Sequence, residues 1–398
     1  MSTGVIDRRA AARATREDRR VVFHAHRLGY LALRGITRLG RVVRVPGLGV
    51  VVSDAELMRA MLLDPSTYSK VGPGGSDRLW TPVIGPRALL NMDGAEHAHL
   101  RRKLTPLFSQ RFLKSIVDEV LTPQLNRFEE ELAAGADVDV VEVIERAAAL
   151  IICRLTGYPE SDAPAQLARA RGILSAVKLT TKEFSDAQLA DMHAQLAVLN
   201  ESTRAAYRDA TPNTVPALMR AEGIDEEDTV SVVTAMIVAG TETIVGFAPR
   251  FTNLVVQSGY IDHLAAHPED VKDAVSEAMR ITVPSPVMIR SVVRDTTIEG
   301  VRALKGERVI LANIFACARA GDFNPFTPVP KAMRQLWFGA GAHFCIGMPL
   351  ATLEAEMFAA ALGRAYARRP FVITERTRKQ RTMAASYSRL VLTPADRA

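Results

Sequence analysis

Phe338-Gly339-Ala340-Gly341-Ala342-His343-Phe344-Cys345-Ile346-Gly347 sets a single cysteine in a glycine-punctuated loop that runs straight into an apolar helix. A thiolate ligates a metal only if it stays deprotonated and screened from oxidants, and backbone N–H groups at a loop-to-helix junction stabilise that anion. Glycines 339, 341 and 347 are expected to let the backbone curl around the sulfur in conformations closed to other residues. The following helix, from 346 to about 362, carries Pro349 in its first turn and few charges.

The rest of the chain bounds what this loop serves. Its 398 residues are 48% hydrophobic, enough for a large core. Three cysteines, Cys153, Cys317 and Cys345, show no paired spacing, which argues against a disulfide framework and points to a reducing compartment, the cytoplasm. The first twenty residues are arginine-rich and lack an apolar run, so residues 1–40 read as a partly flexible, solvated lead-in with no membrane anchor. Thr229–Pro249 is long enough to span a bilayer, but its threonines and Glu242 favour a buried core helix. The net charge of +6 is scattered and has no aromatic interleaving, which speaks against nucleic acid and for an acidic protein partner.

Patterning predicts a β-hairpin over Arg41–Asp54 around Pro46-Gly47-Leu48-Gly49. Helices are expected over Ala55–Asp64, His97–Ser109 and Phe112–Ala133, and again through most of Glu142–Arg280. Short strands return at Arg290–Glu299, Gly306–Leu311, Phe371–Thr374 and Ser386–Thr393. Asp225-Glu226-Glu227-Asp228 supplies an N-cap and first-turn carboxylates for a long central helix. That helix reaches Ala239-Gly240-Thr241-Glu242-Thr243 and is expected to end or kink at Pro249.

The cysteine loop resembles the haem-binding signature of the cytochrome P450 family, Phe-Gly-x-Gly-x-His-x-Cys-x-Gly, at every defined position. Ala239 to Thr243 is similar to the family's oxygen-activation motif, and Glu277-Ala278-Met279-Arg280 to its Glu-x-x-Arg. The resemblance implies a mainly α fold with small β-sheets over 41–398 as one catalytic domain, with haem b (iron protoporphyrin IX) buried between the central helix and the cysteine helix. It makes Cys345 the axial ligand, with Phe338 and Gly339 beside the sulfur, Gly347 letting the helix pass close to the ring, and Ala239 and Gly240 leaving room above it. Propionates would meet His97, Arg101, Arg290 and His343, arginine suiting a carboxylate through its bidentate fork. Glu242 and Thr243 would deliver protons to oxygen, and Glu277 with Arg280 would be structural.

A substrate pocket is implied from Trp80, Ile84, Leu89, Leu90, Ala235, Ala239, Val287, Met288 and Tyr387, mostly apolar and suited to a mid-sized organic molecule. The activity implied is hydroxylation or epoxidation, with coupling or desaturation, or a non-catalytic haem-binding role, as alternatives. With no fused flavin or iron–sulfur region, electrons would come from NAD(P)H through ferredoxin reductase and ferredoxin, docking on Arg101, Arg102, Lys103, Arg111 and Lys114. The substrate would arrive free or tethered to a carrier protein. The family's Pro-x-Arg-Phe is missing between Arg319 and Phe338, which leaves Arg334 as a weak third member of the Glu-Arg-Arg network.

Overall fold

A computed structural model describes residues 6–176, 181, 183–380 and 382–398, and its axis is one helix of 33 residues, Glu226–Ser258. The Asp225 side chain accepts the Asp228 N–H at 2.8 Å to start this central helix. Gly259, at φ +76°, ends it. Pro249 neither ends nor breaks it. Proline has no N–H for the carbonyl one turn back, that of Val245. That carbonyl instead accepts the Ser386 hydroxyl at 3.2 Å. The helix is long and apolar enough to cross a membrane, but 67% of its most apolar window is buried inside the protein.

Around this axis pack Val140–Thr156, Ala163–Ser175, Asp186–Arg208 and the cysteine helix Met348–Arg368, and Gln110–Ala133 packs against the cysteine helix and Val140–Thr156. Among the described residues three small sheets complete a mainly α architecture. The largest runs in the order Val42–Val45, Gly49–Val52, Arg308–Leu311, Met288–Val292, Tyr68–Ser69. Its first two strands form the expected hairpin, with Val45 opposite Gly49, and Val50 pairs with Val309 in parallel. The strand expected over Arg290–Glu299 divides into Met288–Val292 and Thr296–Ile298. Phe371–Arg378 and Tyr387–Pro394 pair in a second sheet.

Residues 8–39 are not a lead-in. Arg8–Ala25 and Arg27–Leu39 are helices, and the first packs along the central helix. Its inward stripe, Ala10, Ala11, Ala14, Asp18, Val21, Val22 and Ala25, keeps three-to-four spacing between the arginines. Asp18 meets Arg250 of the central helix through two hydrogen bonds of 2.7 and 2.6 Å, both side chains being 2% exposed. Beside it Glu17 pairs with Arg378.

Candidate functional site

The cysteine loop is closed by the Cys345 N–H donating to the Phe338 carbonyl at 2.9 Å. Gly339 (φ +80°) and Gly341 (φ +68°) take left-handed conformations, and a Cβ on Gly341 would collide with the Leu62 carbonyl oxygen. Only glycine serves at these two positions. Gly347 departs from expectation: its φ of −80° is open to any residue, and its nearest neighbour is the Cys345 Sγ at 3.8 Å from where a Cβ would sit. Burial raises the Cys345 thiol pKa. Acting against burial are the backbone N–H groups of Gly347 and Met348, which hydrogen-bond the sulfur, and the charges of Arg101 and Lys70. Cys345 itself is exposed in the loop, so its sulfur faces open space while two backbone N–H groups and two cations favour its anionic form.

Beside the loop, five basic side chains gather around one carboxylate. Asp93 caps the helix Gly94–Leu104 and accepts from Ser69 Oγ at 2.6 Å, from the Lys70 N–H at 3.1 Å and from His343 Nε2 at 3.2 Å. Burial alone would raise the Asp93 carboxyl, but the hydrogen bonds from His343 and Ser69 outweigh it and hold the group well below the usual carboxylate range. Burial lowers His343 to about 4, and it lowers His97 as well. The centroids of these two rings lie 4.3 Å apart, and His97 Nε2 is buried with no partner among the described residues. Arg101, one helical turn beyond His97, donates to the Phe344 carbonyl. Arg290, 4% exposed, donates to the Ile289 carbonyl at 2.8 Å. Burial, with only Asp93 opposing it, lowers Arg290 to about 10. Lys70 falls to about 7 through burial and the neighbouring Arg290.

This excess of cations over a single carboxylate, with an orphaned imidazole nitrogen, is the environment that a group carrying two carboxylates would satisfy. The residues present fit haem. His97, Arg101, Arg290 and His343 are brought together as expected. Lys70 and Asp93 were not foreseen, since both sit in irregular backbone with no flanking pattern to mark them. Arg101 points inward, which removes it from the expected docking face. On that face Lys103 donates to the Glu222 carbonyl and Lys114 pairs with Asp118, while the side chain of Arg111 lies outside those described. Arg102 remains exposed.

On the central helix Ala239 and Gly240 are exposed, and the Thr243 hydroxyl donates back to the Gly240 carbonyl at 3.2 Å. Glu242 is 6% exposed and accepts from Arg171 Nε at 2.8 Å, with Lys379 Nζ 3.9 Å away. Arg171 also pairs with Glu145, which lies 3.6 Å from Lys379. Two carboxylates and two cations from four segments thus form a network whose outer members reach solvent. Glu145, Arg171 and Lys379 carry no motif that would have announced them.

Glu277 and Arg280 form a buried bidentate pair of 2.6 and 2.7 Å. Arg334 is exposed and takes no part. Backbone replaces it: Arg280 donates to the carbonyls of Cys317 at 2.7 Å and Gly321 at 3.1 Å, and Glu277 accepts the Asn324 N–H at 2.9 Å.

Of the expected pocket residues, Trp80, Leu89, Leu90 and Ala235 are half-buried and Ile84 is buried against the main core. Met288 lies beside Gly339, whereas Val287 packs with Leu33, Val51 and Ile310. Tyr387 is fully buried, and its hydroxyl donates to Glu17 of the N-terminal helix at 3.5 Å.

Glu354, on the cysteine helix, faces a cavity of about 10 Å³ lined by apolar residues including Ile144, Ile151 and Ile244, with no partner among the described residues. Burial raises its pKa from 4.5 to about 8. A carboxyl raised on folding keeps a proton that the unfolded chain loses, so stability falls as pH rises through that window. Glu354→Gln removes the linkage. Its stability is expected to gain on the parent from about pH 5 to about pH 8, by on the order of a few kcal/mol, and to run parallel above. Denaturant midpoints of both proteins across that range check this, and a gap that does not widen refutes it.

A family model described as Cytochrome P450 matches residues 271–385. Cytochrome P-450 monooxygenase DoxA of Streptomyces sp. (strain C5) is 30% identical over 339 residues, 77% of this chain and 79% of that protein. Vitamin D(3) 25-hydroxylase of Pseudonocardia autotrophica is 27% identical, covering 79% of this chain and 80% of its own. The crystal structure of P450BioI in complex with an acyl carrier protein ligated to hexadec-9Z-enoic acid superposes with a TM-score of 0.77, at 20% identity over 92% of this chain and 97% of that one. A similarity running through nearly the whole fold, and at 30% identity through more than three quarters of the sequence, means that the chain belongs to the cytochrome P450 family of haem-dependent monooxygenases.

Proposed function

We propose that this enzyme hydroxylates or epoxidises a mid-sized, largely apolar organic molecule in the cytoplasm, using electrons passed from NAD(P)H by a ferredoxin reductase and a ferredoxin. The observation that carries the assignment of its site is the cluster of Lys70, His97, Arg101, Arg290 and His343 beside the N–H-stabilised sulfur of Cys345. Haem, when bound, supplies dioxygen activation and the insertion of one oxygen atom into substrate, the other leaving as water.

The chain supplies the rest. Cys345 would hold the metal as thiolate, and the basic cluster of Lys70, His97, Arg101, Arg290 and His343 would neutralise and orient the propionates. Glu277 and Arg280 brace the segment between strand Arg308–Leu311 and the cysteine loop. The Thr243 hydroxyl, bonded to the Gly240 carbonyl, is a donor that can turn toward oxygen. Glu242, held by Arg171 and Lys379, takes a proton from the solvent side of its network and passes it inward. Trp80, Leu89, Leu90, Ala235 and Met288 exclude water and orient the substrate.

Thr243→Ala is expected to leave haem content and electron consumption intact while product per electron pair falls roughly tenfold or more, as general-acid help is withdrawn. Product and cofactor consumption measured together check it, and unchanged coupling would remove Thr243 from proton delivery. The reading as a whole is tested by optical titration of the ferric protein with diverse small molecules. A saturable low-to-high-spin shift with one chemical class supports it and names the substrate family. A shift produced only by carrier-tethered compounds would instead favour the arrangement of the P450BioI complex, whose fatty acid is joined to an acyl carrier protein.

A further inference from the structure

The second helix, Arg27–Leu39, exposes leucine to solvent along its length. Leu28 is 81% exposed, Leu39 80% and Leu31 51%, an unusual concentration for thirteen residues. Buried Tyr30 and Leu33 anchor the opposite face, Tyr30 packing on Phe315. At about 100° per residue, Leu28, Leu31, Ala32, Gly35 and Leu39 fall in one outward stripe. Arg27, Arg34 and Arg38 line a single edge of it, all exposed and none with a carboxylate partner among the described residues.

From this arrangement we infer that the helix is an interfacial device that seats the enzyme on an anionic lipid surface. Charge decides the occupant. Between residues 8 and 39 the two acidic side chains are turned inward, Glu17 to Arg378 and Asp18 to Arg250, so the charge shown outward there is positive only. Arg9, Arg13 and Arg16 extend it along the exposed side of the preceding helix, while Arg20 there shares Glu17 with Arg378 at 3.6 Å. Two copies meeting here would bring arginine against arginine. Three leucines on a helix of about 20 Å also offer far less than the roughly 800 Å² per partner of a stable dimer. A bilayer asks for less: a few leucines dipping into the acyl boundary and arginines at headgroup level. The inference concerns a surface distinct from the haem site and does not depend on the substrate proposed above.

Haem-loaded protein sedimented with phosphatidylcholine vesicles, with and without phosphatidylglycerol, tests it. Partitioning is expected only when phosphatidylglycerol is present and is expected to weaken with salt. Arg27→Gln/Arg34→Gln/Arg38→Gln should lower the partition coefficient roughly a hundredfold. Leu28→Ser/Leu31→Ser/Leu39→Ser should abolish binding while the haem spectrum stays unchanged. Leu28→Trp, which needs no loss-of-function variant, should be quenched by brominated phosphatidylglycerol. Absence of partitioning overturns the proposal, as does a leucine-to-serine variant that binds like the parent. A vesicle-free dimer dissolved by that same variant, with no effect on lipid, would assign the face to a second copy instead.

Discussion

Replacing Cys345 with serine is expected to reduce turnover to background and to move the ferrous carbon-monoxide absorption away from the position that thiolate ligation gives. Only a sulfur anion donates the electron density on which oxygen cleavage in this family relies, and a hydroxyl at the same place stays neutral. The loop is built for the anion: two backbone N–H groups aim at the sulfur, and Arg101 and Lys70 lie within electrostatic reach. The other two cysteines are the control. Burial raises Cys153 and Cys317 to about 12, which keeps them as neutral, inert thiols. Cys153→Ala and Cys317→Ala should therefore leave the spectrum untouched. A Cys345→Ser protein that kept the thiolate-type band would require another axial ligand.

The parts of the site legible in the sequence were those where chemistry constrains consecutive backbone. Gly339 and Gly341 are needed at positive φ, Asp225 caps a helix that must present Gly240, and Glu277 and Arg280 share one helical turn. Residues that complete the site from elsewhere in the fold carried no such mark. Lys70 and Asp93 come from irregular segments, and Arg171, Glu145 and Lys379 converge on Glu242 from three separate segments. The absent third arginine was a real departure. The donor that it would bring to Glu277 is supplied by the backbone N–H of Asn324, and Arg280 is held by the carbonyls of Cys317 and Gly321, groups that every sequence possesses and none advertises. The N-terminal helix was hidden by composition: its arginines dominate the reading, while its buried face is mostly alanine, with an aspartate in the middle.

Two acid–arginine pairs buried among the described residues serve different ends. Glu277–Arg280 lies within one helix and acts through the carbonyls that it collects, fixing the segment that leads to the thiolate. Asp18–Arg250 joins segments more than two hundred residues apart and fixes how the chain's start meets its central axis. Losing the first distorts the site. Losing the second opens the body.

Asp18→Ala is accordingly expected to be strongly destabilising, costing about 3–5 kcal/mol. The penalty comes less from the attraction lost than from stranding a buried charge. The Arg250 side chain, 2% exposed, would be left without its carboxylate. Its remaining acceptor is the Ala385 carbonyl at 3.5 Å, too long to compensate. The consequences reach the tail loop. His26, next to the N-terminal helix, hydrogen-bonds the Met383 carbonyl at 3.0 Å, and Ser386 bonds to Val245. Loosening the first helix should therefore free residues 383–386, and hydrogen exchange should rise there before the global transition. Asp18→Leu combined with Arg250→Met removes both charges, and recovery of most of the lost stability is expected, since well-packed apolar replacements of buried ion pairs are often neutral or better. Denaturant unfolding of the single and double variants measures the coupling directly. An Asp18→Ala protein within about 1 kcal/mol of the parent would mean that the N-terminal helix is bound by its alanine stripe alone, with Arg250 finding water.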